Sequence, residues 1–198
     1  MVQKEEQYPV PALDQCLAKT FFDGGICRPG RSIEEHCRIV GSIARKLRQF
    51  LPEQFGDPEA AGLAPCLDLH DIGKLTPFFQ DKLYRATGRA FLPSAYPSYM
   101  DFPDHASAGY AFLADMHQAA AEIAGWHHGV QPDRDLSLND LYGGAGWQDL
   151  RKELVHRLGG VSPLVQMPSE TTLTLLKGLV AVADWIGSGS IFDDPATP

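Results

Sequence analysis

The dipeptide His70-Asp71 is where chemistry is most concentrated in this chain, because more side chains of the same two types lie on either side of it: His36, His105, the pair His127-His128, and Asp184. Imidazole and carboxylate are ligands for first-row metal ions. Each of these residues falls in or beside a stretch that reads as helix. Five separate segments supplying such groups point to one pocket in a helical bundle, with room for more than one ion. A metal-dependent phosphohydrolase is the activity such a set would serve.

Taken singly, each residue has an ordinary alternative. His36 sits four residues past Ser32 and, alone, reads as a surface or core histidine. His70 at a helix C-terminus is favoured by the helix dipole, although a buried Asp71 beside it needs a partner or a metal. His127-His128 is equally one buried ring and one solvated ring. His105 in a first helical turn is ambiguous, since the dipole does not favour a cation there. Asp184 is the oddest, sharing one face of an apolar helix with Leu173, Leu176 and Val180; a buried ion pair with Lys or Arg is the alternative to a metal. His117 and His156 sit on polar stretches and read as solvated.

The elements that position these groups are mostly helical. Ser32-Ile33-Glu34-Glu35 is a capping box opening a helix to about Phe50, with Ile33, Val40, Ile43, Ala44 and Leu47 at helical spacing. Asp57-Pro58-Glu59 starts a second helix, expected to run through Ala61, Ala64 and Leu67 to His70 despite Pro65, with Gly73 as its C-terminal stop. Thr76 to Leu83 reads as a short helix and 86–104 as a long loop. Asp104 caps a helix carrying His105, Ala108, Phe112 and Leu113. A further helix spans about 117–128, followed by loop over 130–146 with Asp135 or Asn139 as caps. Residues 147–158 are amphipathic, and Ser169 caps the last long helix. No β-strand, repeat or low-complexity segment is predicted, so the expected fold class is all-α.

At 198 residues, one domain over 1–198 is expected, with 1–16 and 193–198 peripheral. Apolar residues at 44% and charged residues at 21% are ordinary for a soluble globular chain. No apolar run is long enough to cross a bilayer, and the polar start is not a signal peptide, so a cytoplasmic location without membrane contact is expected. Cys16, Cys27, Cys37 and Cys66 form no CxxC pair and read as free thiols; Cys37 should point off the face of His36. The net charge of -8 argues against unaided gripping of duplex DNA. The substrate is small, or a partner delivers nucleic acid, or bound cations supply local positive charge.

Several segments together carry a resemblance: Leu17-Ala18-Lys19-Thr20, Glu35-His36, LHDIGKLTPFFQDKL (69–83), DHASAGY (104–110), WHHG (126–129) and ADWIGS (183–188). In this order they resemble the HD superfamily of metal phosphohydrolases, and more narrowly the HD nuclease domain of the CRISPR-associated helicase-nuclease of type I systems. The resemblance covers about residues 17 to 192. It implies an HD-domain helical bundle with two adjacent metal sites. His36, His70, Asp71 and Asp184 would hold one; His105, His127 and His128 would hold the other, with Asp71 bridging. It also implies hydrolysis of phosphodiesters in single-stranded DNA, beside an ATP-driven helicase that a crRNA-guided surveillance complex recruits.

Imidazole-rich sites suit Mn, Fe, Co, Ni or Zn better than Mg, which stays possible. Asp71 would be the central catalytic carboxylate. Lys74, three residues past His70-Asp71 in sequence terms, is placed to meet the scissile phosphate or the attacking water; its ordinary role is a C-terminal lysine favoured by the dipole. Ser107 and Ser188 are further candidates for contacts to ligands or phosphate. Arg85, Arg89 and the tyrosines of 86–104 could guide a strand by charge and stacking. No GxxxxGK[ST] motif is present, so the helicase motor is expected on a separate chain or a fused domain. Two other readings stay open: an HD-type nucleotide or cyclic-nucleotide phosphohydrolase, and a non-catalytic HD-fold protein that binds a CRISPR partner.

Overall fold

Ser32 converts an extended run into helix α1 (Ile33–Arg48): its hydroxyl accepts from the Glu35 N–H, and the Glu35 carboxylate accepts from the Ser32 N–H at 3.0 Å, closing the capping box. The computed structural model describes residues 8–51, 62–92, 104–134, 143–163 and 166–193. Among them, five more helices follow: α2 (Pro77–Ala86), α3 (His105–Ala114), α4 (Gln118–Trp126), α5 (Gly144–Arg157) and α6 (Glu170–Gly187). Thr76, Asp104 and Ser169 cap α2, α3 and α6 through side-chain oxygens. The expected start at Asp57, the caps Asp135 and Asn139, and most of the 86–104 loop lie outside the described residues. No described helix is long and apolar enough to cross a membrane.

The helices pack in pairs around one buried turn. α1 lies against α6 and α3 against α4, with α4 also touching α6. α1 buries Ile33, Val40 and Ala44, and α6 buries Leu173, Leu176, Val180 and Ala183. Each fully buried Leu, Ile or Val contributes about 1.5–3 kcal/mol. α1 and α6 cross closely at Gly187, where a Cβ would lie 2.9 Å from a Val40 methyl.

Between these pairs runs the segment 62–75, and here the structure departs from the expected helix ending at His70. Ala64–Asp68 and Ile72–Lys74 are short 3-10 turns. Residues 66–73 are buried throughout. A segment surrounded on all sides has no solvent face for a regular amphipathic helix, and tight turns aim successive side chains at different neighbours. Two contacts pin it. The Asp68 carboxylate sits where a Cβ on Gly41 of α1 would be, 1.6 Å away, and Arg45 grips it with two N–H groups at 2.7 and 3.2 Å. On the other side, Arg151 of α5 donates to the Leu75 carbonyl at 2.6 Å. Gly73 does not serve as a left-handed helix stop. It is required because α3 passes so close that a Cβ would meet the His105 carbonyl oxygen at 1.8 Å.

A hairpin corrects the expectation of no strands. β1 (Thr20–Asp23) and β2 (Ile26–Pro29) pair antiparallel, from Thr20↔Pro29 to Asp23↔Ile26. Gly24 and Gly25 both have positive φ, 55° and 81°, as a two-residue hairpin turn demands. The four cysteines are free thiols, and Cys37 is buried in the core.

Candidate metal centre

α1, the 70–74 turn and α6 bring the first group together. His36 comes from the second turn of α1, and Asp184 from the last turn of α6. His36 Nε2 lies 3.1 Å from Asp184 Oδ1 and 3.2 Å from Asp71 Oδ2. His70 Nε2 lies 3.4 Å from Asp71 Oδ2 and 3.6 Å from Asp184 Oδ1. α3 and the end of α4 supply the second group. His105 Nε2 and His127 Nε2 face the other oxygen of Asp71, Oδ1, at 3.3 and 3.6 Å, and His128 Nε2 is 2.9 Å from His105 Nε2. In each group, His36-His70-Asp71-Asp184 and His105-His127-His128, one ligand atom per residue falls within 4.8 Å of all the others. Asp71 therefore turns one oxygen to each group.

The donor set fits divalent ions. His70 Nε2, His127 Nε2 and both oxygens of Asp71 are buried and make no well-directed hydrogen bond. A buried polar atom left without a partner costs about 1–3 kcal/mol. These four converge on one another as ligands around a cation do, with the Lys74 ammonium beside Asp71 Oδ2. Lys74 Nζ approaches Asp71 Oδ2 at 2.6 Å, an ion pair at the edge of the same pocket.

Electrostatics sort the ligands. Burial would raise the Asp71 carboxyl, but Lys74 and His70 hold it far below the usual carboxylate range. Asp184, also opposed by burial, is held low by the hydrogen bond from His36 and by the neighbouring His70 ring. Burial would lower His70, yet Asp71 and Asp184 lift it to about 9. His127 is pushed down to about 3 by burial, which outweighs Asp71, and His128 is lowered by burial and by His105. His127 and His128 are thus neutral near pH 7, the state in which imidazole binds metal.

Contacts beyond the ligands fix their orientation. His127 Nδ1 donates to the Ala124 carbonyl at 2.5 Å, leaving Nε2 with its lone pair toward Asp71. Ser188 Oγ donates to Asp184 Oδ1 at 3.0 Å. Ser107 is buried; its hydroxyl donates to Asp104 Oδ2 at 2.8 Å and accepts from the Asp133 N–H at 2.9 Å. It ties the start of α3 to the loop beyond His128. Arg85 is engaged with Asp81 and the Leu92 carbonyl, so it serves the fold; Tyr96 and Tyr99 are outside the described residues.

Two residues escaped the sequence reading. His117, read as solvated, is buried and caps α4 by accepting from the Ala120 N–H at 3.1 Å. The polar flanks of ADMHQA hid it, although His before an alanine run is a usable cap. His156 is exposed, as read. Gln80 is fully buried, accepts from the Leu17 N–H at 2.8 Å, and donates to the carbonyls of Leu17 at 2.9 Å and Lys74 at 3.0 Å. Its amide clamps the amino-terminal segment and the 70–74 turn together. The signal was a glutamine inside an apolar stretch, Pro77-Phe78-Phe79-Gln80.

A buried His-Asp turn ringed by histidines from α1, α3 and α4 and an aspartate from α6 defines an HD-type metal site in a helical bundle. The family model for "Cas3, HD domain" matches residues 37–192, and the chain belongs to that family. The match begins just after His36 and takes in every other residue of the two groups. Among solved structures, T. fusca Cas3 with ATP is 25% identical with a TM-score of 0.68, over 93% of this chain and 23% of that one. A structure described as a CRISPR RNA-guided surveillance complex, pre-nicking, is 25% identical with a TM-score of 0.68, over 92% of this chain and 25% of that one. The Thermus thermophilus cas3 HD domain in the presence of Ni2+ shares the fold, at 21% identity and a TM-score of 0.50, over 84% of this chain and 75% of that one. The chain spans about a quarter of the length of the Cas3 chains it matches. No curated protein matches it.

Proposed function

We propose that this chain is a metal-dependent nuclease that hydrolyses phosphodiester bonds in single-stranded DNA during type I CRISPR interference. It would act beside a helicase, carried on the same or a separate chain, and a crRNA-guided surveillance complex. The observation that carries this reading is Asp71, buried, with one oxygen turned to each of two groups of histidine and aspartate side chains. Membership of the Cas3 HD family supports the nuclease class, and the likeness to a surveillance complex supports the partner.

His36, His70, Asp71 and Asp184 would hold one ion, and His105, His127 and His128 the other, with Asp71 shared. Mn, Fe, Co, Ni or Zn suit so many imidazoles. Bound there, a pair of divalent ions supplies Lewis acidity and acidifies water near neutral pH. The rest falls to the protein. Asp71 and Asp184 stay ionised, Ser188 holds Asp184 in place, and the Ala124 carbonyl fixes the tautomer of His127. Lys74 brings an ammonium to the rim of the pocket, where it would meet a phosphate oxygen and oppose the charge that builds as the bond breaks. Exposed His128 marks the open side through which a strand would enter.

The test is cleavage of circular single-stranded DNA by metal-stripped protein, with Mn2+, Co2+, Ni2+ or Mg2+ returned one at a time, and Asp71→Ala alongside. Metal-dependent linearisation, lost in the variant while its fold survives, is expected. A fully active Asp71→Ala protein would refute the assignment.

A further inference from the structure

Asp184 sits in the last turn of α6, and its orientation depends on how that helix ends. Ser188 is the C-terminal cap. Its N–H donates to the Asp184 carbonyl at 2.7 Å, and its hydroxyl donates to Asp184 Oδ1 at 3.0 Å. The carboxylate therefore follows wherever Ser188 is held. α6 runs for 18 residues and has no basic residue in its last turn to answer its terminal carbonyls.

The cation comes from the other end of the chain. Lys19 Nζ donates to the Ser188 carbonyl at 3.0 Å, across 169 residues, and pairs with the Asp193 carboxylate. The Lys19 side chain is only 16% exposed. The backbone that carries it is fixed: the Gly30 N–H donates to the Lys19 carbonyl at 3.1 Å, and the Ala18 N–H to the Arg31 carbonyl at 3.0 Å. Gly30 leaves room for the lysine stem, since a Cβ there would lie 3.2 Å from Lys19 Cγ. Arg31, also buried, donates from Nε to the Phe192 carbonyl at 3.1 Å. Two cations of one ribbon thus grip the stretch that follows α6, and the hydrolytic mechanism uses neither.

We infer that Lys19 is a positioning residue for one of the two ligand groups: by fixing Ser188 at the end of α6, it sets the Asp184 carboxylate toward His36 and His70. The inference rests on the two-ion reading above and adds what holds one carboxylate ready. Asp184 Oδ1 already lies 3.1 Å from His36 Nε2, so a carboxylate freed from Ser188 must be ordered again whenever an ion binds. His105, His127 and His128 lie outside α6, so the second group does not depend on this hold. That difference separates positioning from a general loss of stability.

The test is competition between metal-stripped full chain and a fluorescent chelator for Co2+ or Mn2+. Lys19→Met keeps the packed stem and removes the ammonium, and Lys19→Arg restores a cation. Lys19→Gln, uncharged but still a donor, is a milder variant. Each is measured in a His128→Ala background, which leaves the Asp184 group intact, and in an Asp184→Ala background, which leaves the other group intact. A partner outside the ligand shell is worth about 10–100-fold in metal affinity. Lys19 acts one step further out, so Lys19→Met should weaken the ion at the Asp184 group about threefold to tenfold, with Lys19→Gln between it and wild type and Lys19→Arg recovering most of the loss. Combined with Ser188→Ala, Lys19→Met should add little to the effect of Ser188→Ala alone. The ion at the histidine group should bind equally with and without Lys19→Met. Unchanged affinity in both Lys19→Met and Lys19→Gln, equal weakening of both ions, or full additivity with Ser188→Ala would overturn the inference and leave the nuclease reading untouched. If the affinity series holds but no metal supports DNA cleavage, the positioning role stands and the nuclease reading fails.

Discussion

Gly73→Ala adds one methyl group and should cripple the site. Gly73 has an ordinary negative φ, so alanine is not excluded by backbone conformation. Alanine restricts the unfolded chain and so favours folding by about 0.4–1 kcal/mol. Against that, the new Cβ would stand 1.8 Å from the His105 carbonyl oxygen and 2.5 Å from the Gly109 N–H nitrogen, both backbone atoms of α3. Ordinary contact begins near 3.4 Å, so α3 must retreat by about 1.6 Å at His105. Overpacking of this kind costs about 1–3 kcal/mol, so net destabilisation of about 1–2 kcal/mol is expected. The larger effect is on geometry. His105 is carried on the displaced backbone, and its Nε2 leaves Asp71 Oδ1, now 3.3 Å away. A displacement of about 1 Å at a catalytic group costs about 100-fold in rate. Diester hydrolysis at saturating metal, with urea unfolding of the same sample, separates the two effects. A folded Gly73→Ala protein with activity within threefold of wild type would refute the claim that this close approach sets the site.

Two further variants probe the supports. Arg45→Ala should cost about 2 kcal/mol, less than the ~3–5 kcal/mol of a fully buried pair because the Arg45 side chain is 38% exposed, and it strands Asp68 against Gly41. Adding Asp68→Asn should recover part of the loss in urea midpoint, and no recovery would mean that Arg45 acts through packing. At Asp104, burial is outweighed by hydrogen bonds from the N–H and hydroxyl of Ser107, so the carboxyl sits below its ordinary value of 3.8. A depressed folded pKa stabilises the protein above the unfolded value and is lost as pH falls through the folded one. The stability advantage of wild type over Asp104→Asn should therefore be constant above about pH 5 and shrink below pH 4. A difference that does not change with pH would contradict the assigned cap.

The caps were readable in the sequence because their cause is local. Ser32 with Glu35, Asp104 and Ser169 satisfy N–H groups two or three residues on, so identity and spacing suffice. The periodicity of α6 was likewise enough to set Asp184 on an apolar face, and the order of the histidines and aspartates was enough to identify the HD class, whereas His36 alone read as a surface or a core residue. Long-range contacts decided the rest. The 62–75 segment carries helix-like residues but is held in 3-10 turns by α1, α3 and α5 pressing from different sides. Gly24-Gly25 reads as a helix breaker until the flanking residues pair. Gln80 looks polar in sequence and is buried because the Leu17 backbone, 63 residues away, satisfies it, whereas His117 is a local cap on the Ala120 N–H that its polar flanks hid. Sequence named the candidate histidines and aspartates, but only the packing of four elements around one turn could set an oxygen of Asp71 toward each group, because that division depends on where backbones 34 to 113 residues apart come to rest.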